Sequence, residues 1–243
     1  MPRFYCSSPI PDSDTFNLPA DAAHHAGRVL RLRVGDEVQI FDGQGFEYHG
    51  AISDMSGKQV TLGNLVRVDV NKESTLRTLL AQALSGSEKM DWVIQKATEL
   101  GVTEIQPVAT ERSVARLSAE RAAKRTEHWQ QVAISACEQC GRNVLPVIHA
   151  PLDISVWLQQ MRASDVSKYI LLPEGAASLH SQPRPEKTAA LLIGAEGGFT
   201  QAESDSAQLC GFTPIRMGAR VLRTETAAVA GLSAMQTLWG DFC

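Results

Sequence analysis

The sequence is poor in cysteine, has no long apolar run and carries no excess of positive charge. Its five cysteines are an odd number and follow no recognisable secretory leader, which argues against a disulfide framework. No segment approaches the ~18 consecutive apolar residues of a membrane-spanning helix, so we expect a cytoplasmic protein. The formal net charge is −4, so binding of nucleic acid must depend on a local basic patch.

The spacing of the cysteines and histidines does not predict a metal site. Cys137 and Cys140 have the C-x-x-C spacing, but no second cysteine pair and no histidine pair completes a zinc site. Both also fall late in a predicted helix, where the helix N-terminus cannot stabilise a thiolate. We therefore expect no bound metal ion.

The first part of the chain has short strands and tight turns. Between Thr15 and Val70, apolar stretches alternate with glycine-containing turns, and one helical segment spans 20–30. Several short strands at this spacing predict a small β-barrel. The polar stretch 69–74 has no apolar period, so we place the domain boundary there, between domains 1–72 and 73–243. The predicted strands of the first domain are 38–41, 46–52 and 60–62.

After this boundary, apolar strands alternate with helices. The alternation predicts an α/β domain whose parallel sheet is covered by helices on both faces. The last helix is apolar nearly all round, so it should be buried on more than one side, in the core or at a subunit interface. The predicted strands are 76–84, 102–108, 144–148, 169–172, 191–193 and 214–216, and the predicted helices are 88–100, 118–140, 200–209 and 224–239.

A glycine-rich loop directly follows one of these strands. Residues 194–199 read Gly-Ala-Glu-Gly-Gly-Phe, and Thr200 with Glu203 forms a predicted capping box at the start of the next helix. Glycines let a backbone approach a ligand closely. At the carboxyl end of a strand in an open α/β sheet, such a loop is typical of a ligand site. A plain strand-to-helix turn is the alternative.

The composition of this loop restricts its ligand. It has no lysine after the glycines, as a phosphate-binding loop has, and it lacks the G-x-G-x-x-G pattern of dinucleotide sites. Glu196 would also repel a pyrophosphate. We expect a ligand that is neutral or cationic where it meets the loop, and a nucleotide-hydrolysing enzyme is disfavoured.

A second motif precedes the last helix. Residues 217–228 read Met-Gly-Ala-Arg-Val-Leu-Arg-Thr-Glu-Thr-Ala-Ala. Thr224 is predicted to cap the helix, and Glu225 lies favourably at the positive end of the helix dipole. Arg223 and Glu225 are candidate functional groups, or else they form a surface ion pair.

The chain resembles the bacterial 16S ribosomal RNA uridine N3-methyltransferases of the SPOUT superfamily. The residues that carry the resemblance are the two motifs, together with Gln-Lys-Ala-Thr-Glu-Leu-Gly-Val at 95–102, Glu-Arg-Ser at 111–113, and His25 with Arg-Val-Leu-Arg at 28–31. They cover essentially the whole chain. The family loop usually reads Gly-Pro-Glu-Gly-Gly, and Ala195 in place of the proline affects only local stiffness.

This resemblance implies a fold, a cofactor and partners. The fold would be an N-terminal PUA-like, RNA-binding β-barrel followed by a C-terminal α/β domain of the SPOUT type, which contains a deep trefoil knot. The protein would be a homodimer that binds S-adenosylmethionine and acts on 16S ribosomal RNA or the 30S subunit. The residues implied for the cofactor are Leu171, Leu172, Pro173, Gly194, Glu196, Gly197, Gly198, Met217, Gly218, Val221 and Leu222.

The implied reaction is methyl transfer to N3 of a uridine in the decoding region. Because N3 carries a proton at neutral pH, the enzyme must both position and deprotonate the base. We hypothesise that Arg223 stabilises the developing anion at the uracil oxygens, and that Glu225 orients Arg223 or relays the proton. Expected RNA contacts come from Arg28, Arg31, Arg33, Gln139 and Arg142.

Two other functions stay open. One is a methyltransferase with another RNA target, such as a ribose 2′-hydroxyl. The other is a non-catalytic RNA-binding module, which would have no affinity for S-adenosylmethionine. The mild acidity leads us to the hypothesis that an assembled ribosomal surface, and not naked RNA, is the substrate.

Overall fold

The computed structural model describes residues 1–113 and 117–242, which divide into two units by their contacts. The first unit comprises Met1–Glu73 together with Cys137–Leu145, and the second comprises the remaining described residues. The last four residues of a long helix and the loop after it therefore belong with the N-terminal part of the chain. Within the described ranges, none of the helices is long and apolar enough to cross a membrane.

The first unit is built on a five-stranded sheet. Its strands are β1 (Arg3–Tyr5), β2 (Thr15–Asn17), β3 (Glu37–Phe41), β4 (Glu47–Ser56) and β5 (Gln59–Val68). The order is β1-β3-β4-β5-β2, and only the β1–β3 pair is parallel. The three predicted strands are confirmed, although β1 and β2 were not predicted. Closure of this sheet into a barrel stays a prediction.

The helical segment predicted at 20–30 is divided in two. It consists of α1 (Ala20–His24) and a π-helical turn, His25–Val29. Ala22, Ala23 and Ala26 are buried in the core of the first unit. The chain then leaves the helix at Arg31, whose φ of 54° is in the left-handed region that a non-glycine residue rarely adopts.

A buried polar network ties the segment 137–145 to the rest of the first unit. Arg3 donates to Glu47 at 2.7 Å and to Oδ1 of Asn143 at 2.7 Å. The side chains of Arg3 and Glu47 are only 8% and 4% exposed, so the two charges neutralise each other inside the protein.

Glu47 makes the stability of the first unit depend on pH. Burial raises the pKa of Glu47, but hydrogen bonds from His49, Arg3 and Asn143, together with the charge of Arg3, hold the pKa below its ordinary value. A carboxylate with a lowered pKa stabilises the fold above its unfolded pKa, and this stabilisation is lost as the pH falls through the folded pKa. We expect Glu47→Gln to lower the free energy of unfolding by about 2 kcal/mol at pH 7.

Urea denaturation followed by far-UV circular dichroism would measure this effect. The difference between Glu47→Gln and the unmodified protein should shrink as the pH falls below the ordinary pKa of a glutamate, about 4.3, and through the lower pKa of folded Glu47, because the carboxyl is then protonated too. Glu37→Gln is a matched control, since Glu37 is exposed on β3. An equal loss of stability at pH 3 and pH 7 would contradict the electrostatic explanation.

The second unit contains a seven-stranded sheet in which every pair is parallel. Its strands are β6 (Arg77–Ala83), β7 (Glu104–Ala109), β8 (Val147–Ile148), β9 (Leu152–Asp153), β10 (Ser167–Leu171), β11 (Thr188–Ile193) and β12 (Thr213–Ile215). The order is β12-β10-β11-β6-β7-β8, with β9 also paired to β7. The predicted α/β class with a parallel sheet is confirmed.

Helices cover both faces of this sheet. They are α2 (Ser87–Glu99), α3 (Ala119–Cys140), α4 (Ile154–Arg162), α5 (Gln201–Leu209) and α6 (Thr224–Trp239). Leu191 and Ile193 of β11 join the core under α2 and α6, whereas Ala190 and Leu192 join the core under α4 and α5. This alternation follows from the two-residue period of a strand. The trefoil knot stays a prediction.

Three local predictions have different outcomes. The capping box of Thr200 and Glu203 is confirmed. The predicted strand 144–148 is only Val147–Ile148, because Pro146 has no N–H to donate to a sheet. Thr224 does not cap α6, since the capping position is Arg223, whose side chain makes no capping hydrogen bond.

The four cysteines that the structure describes are thiols without disulfide partners. Cys6, Cys137, Cys140 and Cys210 are free, and Cys243 lies outside the described residues. Burial raises the pKa of Cys6 and of Cys137 to about 12, so both stay protonated at neutral pH. In the described part of the chain, no group of three or more histidine, cysteine or acidic residues is arranged to hold a metal ion.

Candidate functional site

Three loops meet at the carboxyl edge of the parallel sheet. They follow β10, β11 and β12, which lie side by side, and they span residues 172–175, 194–199 and 216–223. Parallel strands end at the same edge, so their loops are neighbours. The loop after β10 is held against β12, because the Leu172 N–H donates to the Ile215 carbonyl at 3.0 Å.

The loops line an open cavity of about 530 Å³, a size typical of small-molecule sites. Apolar side chains and loop backbone form much of its lining, and three exposed arginines, Arg216, Arg220 and Arg223, stand around it. Eleven lining residues are those singled out in the sequence: Leu171, Leu172, Pro173, Gly194, Glu196, Gly197, Gly198, Met217, Gly218, Val221 and Leu222.

The glycine-rich loop is a tight turn held by a neighbouring side chain. Gly198, at a φ of 69°, donates its N–H to the Ala195 carbonyl at 2.8 Å. A bulkier residue would be strained at that φ. Arg112, from the loop after β7, donates to the carbonyls of Gly197 at 2.8 Å and Phe199 at 3.2 Å. These bonds fix the backbone that lines the cavity.

The acidic residue of the loop is neutralised by a lysine. Lys89 of α2 donates to Glu196 at 2.9 Å. Burial raises the pKa of Glu196, but hydrogen bonds from Lys89 and from backbone N–H groups, with the charge of Lys89, hold the pKa below its ordinary value. The repulsion of anions by Glu196 is therefore weaker than the sequence alone suggested.

Arg223 and Glu225 lie in different surroundings. Arg223 is exposed on the wall of the cavity at the start of α6. Glu225 does not line the cavity, and its Oε2 is buried without a hydrogen-bond partner. Among the described residues no ion pair joins these two side chains, so the surface ion pair considered for them does not form.

Thr224 links the second motif to the glycine-rich loop. Its hydroxyl donates to the carbonyl of Gly194 at 2.6 Å and accepts from the side-chain amide of Gln82 at 2.8 Å. Thr224 and Gln82 are both buried. The hydroxyl predicted to cap α6 therefore joins two segments that are 30 residues apart.

Comparison with known proteins shows what kind of domain carries this cavity. Residues 72–236 match the model of an RNA methyltransferase domain, and residues 18–63 match that of an RNA methyltransferase PUA domain. The chain is 34% identical over 242 residues to Ribosomal RNA small subunit methyltransferase E of Buchnera aphidicola subsp. Acyrthosiphon pisum, with 100% of this chain and 95% of that protein covered. The chain belongs to this methyltransferase E family.

Two solved structures extend the comparison to three dimensions. Ribosomal RNA small subunit methyltransferase E from Neisseria gonorrhoeae, bound to S-adenosyl methionine, is 37% identical, has a TM-score of 0.93 and covers 100% of both chains. A putative methyltransferase from Legionella pneumophila, in complex with the same cofactor, is also 37% identical, with a TM-score of 0.93 and coverage of 99% and 98%. The predicted family is confirmed.

The predicted RNA-binding residues of this methyltransferase E family member differ in their exposure to solvent. Arg28, Arg31 and Arg33 are exposed close together on the first unit, and Gln139 is exposed near the end of α3. Arg142 is only 3% exposed. Its guanidinium donates to the Glu73 carboxylate at 2.6 Å, so it is already paired within the protein, and its contact with RNA stays a prediction.

Several residues of the site were missed by sequence reasoning. The sequence around Lys89 does not indicate a role in the site, because its partner Glu196 is 107 positions away. Gln82 lies inside an apolar strand and is paired through Thr224 with a distant loop. Arg216 directly precedes the second motif and Arg220 lies within it, so both could have been noticed as basic residues there, together with Arg223. Their position at the cavity supplies the local basic patch that the net charge of −4 does not show.

Proposed function

We propose that this protein transfers a methyl group from S-adenosylmethionine to N3 of a uridine in the decoding region of 16S ribosomal RNA, during maturation of the small subunit. The observation that carries the proposal is the cavity at the ends of β10, β11 and β12, with Arg223 on its wall. It occurs in a chain 37% identical, over its full length, to a methyltransferase E bound to this cofactor.

The chemistry of the cavity fits S-adenosylmethionine. Leu171, Leu172 and Leu222 offer apolar walls, and the 194–199 backbone offers polar groups that can recognise an adenine edge. Lys89 is bound to Glu196, so it does not present a free ammonium group to a phosphate. The cofactor has no phosphate, and when bound it supplies a methyl group on a cationic sulfur.

The side chains near the cavity suggest how the uridine is activated. N3 must lose its proton as it forms the bond to the methyl carbon, while the carbon–sulfur bond breaks. Negative charge develops on the two uracil oxygens, and the guanidinium of Arg223 stabilises it. Of the two roles considered for Glu225, orienting Arg223 has no ion pair among the described residues to support it, so we propose that Glu225 relays the proton from N3. Its Oε2 is buried without a hydrogen-bond partner, which leaves this oxygen available as an acceptor.

The RNA and a second copy of the chain are the proposed partners. Arg216 and Arg220 would attract RNA phosphates to the cavity, and Arg28, Arg31, Arg33 and Gln139 would contact RNA on the first unit. We include the homodimer because α6 is apolar nearly all round, yet Val229, Ala230 and Ala234 are only half-buried in the single chain.

Methylation of defined substrates tests the proposed function. Purified protein with S-adenosylmethionine and 30S subunits that lack the modification should produce 3-methyluridine, detected by mass spectrometry of nucleosides from 16S RNA. Naked 16S RNA should be methylated more slowly, because the net charge of −4 gives little general attraction to RNA.

The same experiment distinguishes the other candidate functions. A methyl group on a ribose 2′-hydroxyl would indicate the other type of RNA target. No heat on titration with S-adenosylmethionine in a calorimeter would indicate a non-catalytic RNA-binding module. Equal rates on naked RNA and on 30S subunits would refute the preference for an assembled surface.

A further inference from the structure

We infer that Thr224 is a positioning residue that couples the glycine-rich loop to Arg223, so that the cofactor site and the proposed catalytic arginine are set together. This role rests on the proposed function. The juxtaposition that carries it is a buried chain of hydrogen bonds from Gln82 of β6, through the Thr224 hydroxyl, to the carbonyl of Gly194.

The direction of each hydrogen bond in this network follows from the donor groups available. The Nε2 of Gln82 can only donate, and it contacts Oγ1 of Thr224 at 2.8 Å and the Ala83 carbonyl at 3.2 Å. The single proton of the Thr224 hydroxyl is then directed to the Gly194 carbonyl, at 2.6 Å. Gln82 is fully buried and Thr224 is 5% exposed, so water cannot readily replace either bond.

Two of the three residues in this hydrogen-bond network line the same cavity. Gly194 begins the glycine-rich loop, and Thr224 directly follows Arg223 at the start of α6; Arg223 lines the cavity as well. Gln82 belongs to β6, which lies inside the sheet between β11 and β7. The central strand therefore supports both the loop and the position from which Arg223 projects. Movement of the Gly194 carbonyl is transmitted to α6 through one hydroxyl group.

Removing the hydroxyl without changing the size of the side chain tests this role. In Thr224→Val the Gly194 carbonyl loses the hydrogen bond from the hydroxyl, and the Gln82 amide keeps the Ala83 carbonyl as its acceptor. We expect the Kd for S-adenosylmethionine to rise about tenfold. At saturating cofactor, kcat should also fall about tenfold because Arg223 is misplaced. In the free protein, hydrogen exchange of the amides at 195–199 should become faster. Thr224→Ser keeps the hydroxyl and should restore all three values.

Thr237→Val is the matched control. Thr237 lies on the same helix, is exposed, and its hydroxyl donates only to the Ser233 carbonyl of that helix. This variant should keep the Kd, kcat and exchange rates of the unmodified protein. If Thr224→Val changes only the melting temperature and leaves the Kd and the exchange of 195–199 unaltered, Thr224 has a merely structural role and the inference is wrong.

The outcomes also separate this inference from the proposed function. An unmodified protein that neither binds nor uses S-adenosylmethionine would overturn the proposed function, whatever the variants do. An active unmodified protein with an equally active Thr224→Val would overturn only the role of Thr224. If Thr224→Val does not fold, Gln82→Leu removes the donor that orients the hydroxyl. It must then show the same directions of change, and unaltered values would refute the coupling.

Discussion

Arg223→Ala is expected to lower kcat for RNA methylation by about a thousandfold, while the Kd for S-adenosylmethionine changes by less than about threefold. The large loss follows because the guanidinium acts on charge that develops only in the transition state, at the uracil oxygens. Cofactor affinity is spared because the walls that hold the cofactor belong to other residues of the three loops. Single-turnover methylation of 30S subunits and calorimetric titration with the cofactor measure the two quantities separately.

Two further variants make this result specific to Arg223. Arg223→Lys keeps a positive charge but loses the planar fork of donors, so it should recover only part of the rate. Arg162→Ala removes an exposed arginine at the end of α4 and should leave the rate unchanged. The side chain of Arg223 makes no capping hydrogen bond, so its alanine variant should fold normally. Full activity of Arg223→Ala would exclude it from catalysis.

Gly175→Ala is expected to disrupt both the fold and the cofactor site of the second unit. A Cβ atom at Gly175 would lie 2.4 Å from the carbonyl carbon and oxygen of Ile215 and 2.8 Å from the backbone nitrogen of Arg216. These atoms belong to the end of β12 and the beginning of the third loop, and backbone cannot move aside as a flexible side chain can. We expect a loss of about 3 kcal/mol in stability, as for an overpacked interior.

Calorimetry measures both consequences of this change. A loss of that size should lower the melting temperature by roughly 6–12 °C in a chain of this length. Cofactor binding should also weaken, because the loops after β10 and β12 both line the cavity. Gly27→Ala is the control, since its added methyl group meets only the flexible end of Met55, at 3.3 Å. Normal stability of Gly175→Ala would contradict this prediction, because it would show that the backbone at Ile215 and Arg216 can move to make room for the Cβ atom.

The architecture of the second unit could be predicted well from local patterns. The predicted helix 224–239 has the observed bounds of α6, and the predicted capping box of Thr200 and Glu203 lies at the start of α5. These signals are short in range, since a helix start depends on residues three positions apart. The predicted strand 144–148 is longer than the observed strand Val147–Ile148. The prediction rests on apolar content, which does not reflect the missing N–H of Pro146.

The candidate site was predictable only where its residues lie in compact motifs. The eleven predicted residues that line the cavity come from three short segments, and two of these segments belong to the motifs that resemble a known family. Arg142 fits a family pattern, but it is buried and paired with Glu73. The sequence around Arg142 does not predict this contact, because the two residues are 69 positions apart. Burial is decided by packing between distant segments, so a charged residue that looks exposed in sequence can be paired in the structure.

Residue order and composition are thus sufficient for the class of the second unit, for the ends of several helices and for the two motifs that resemble a methyl-transfer site. Only the tertiary structure brings Lys89 to Glu196, Arg112 to the loop carbonyls, and Thr224 to Gly194. The physical reason is that each contact depends on parallel strands ending at one edge of the sheet. That arrangement sets side by side loops that are far apart along the chain.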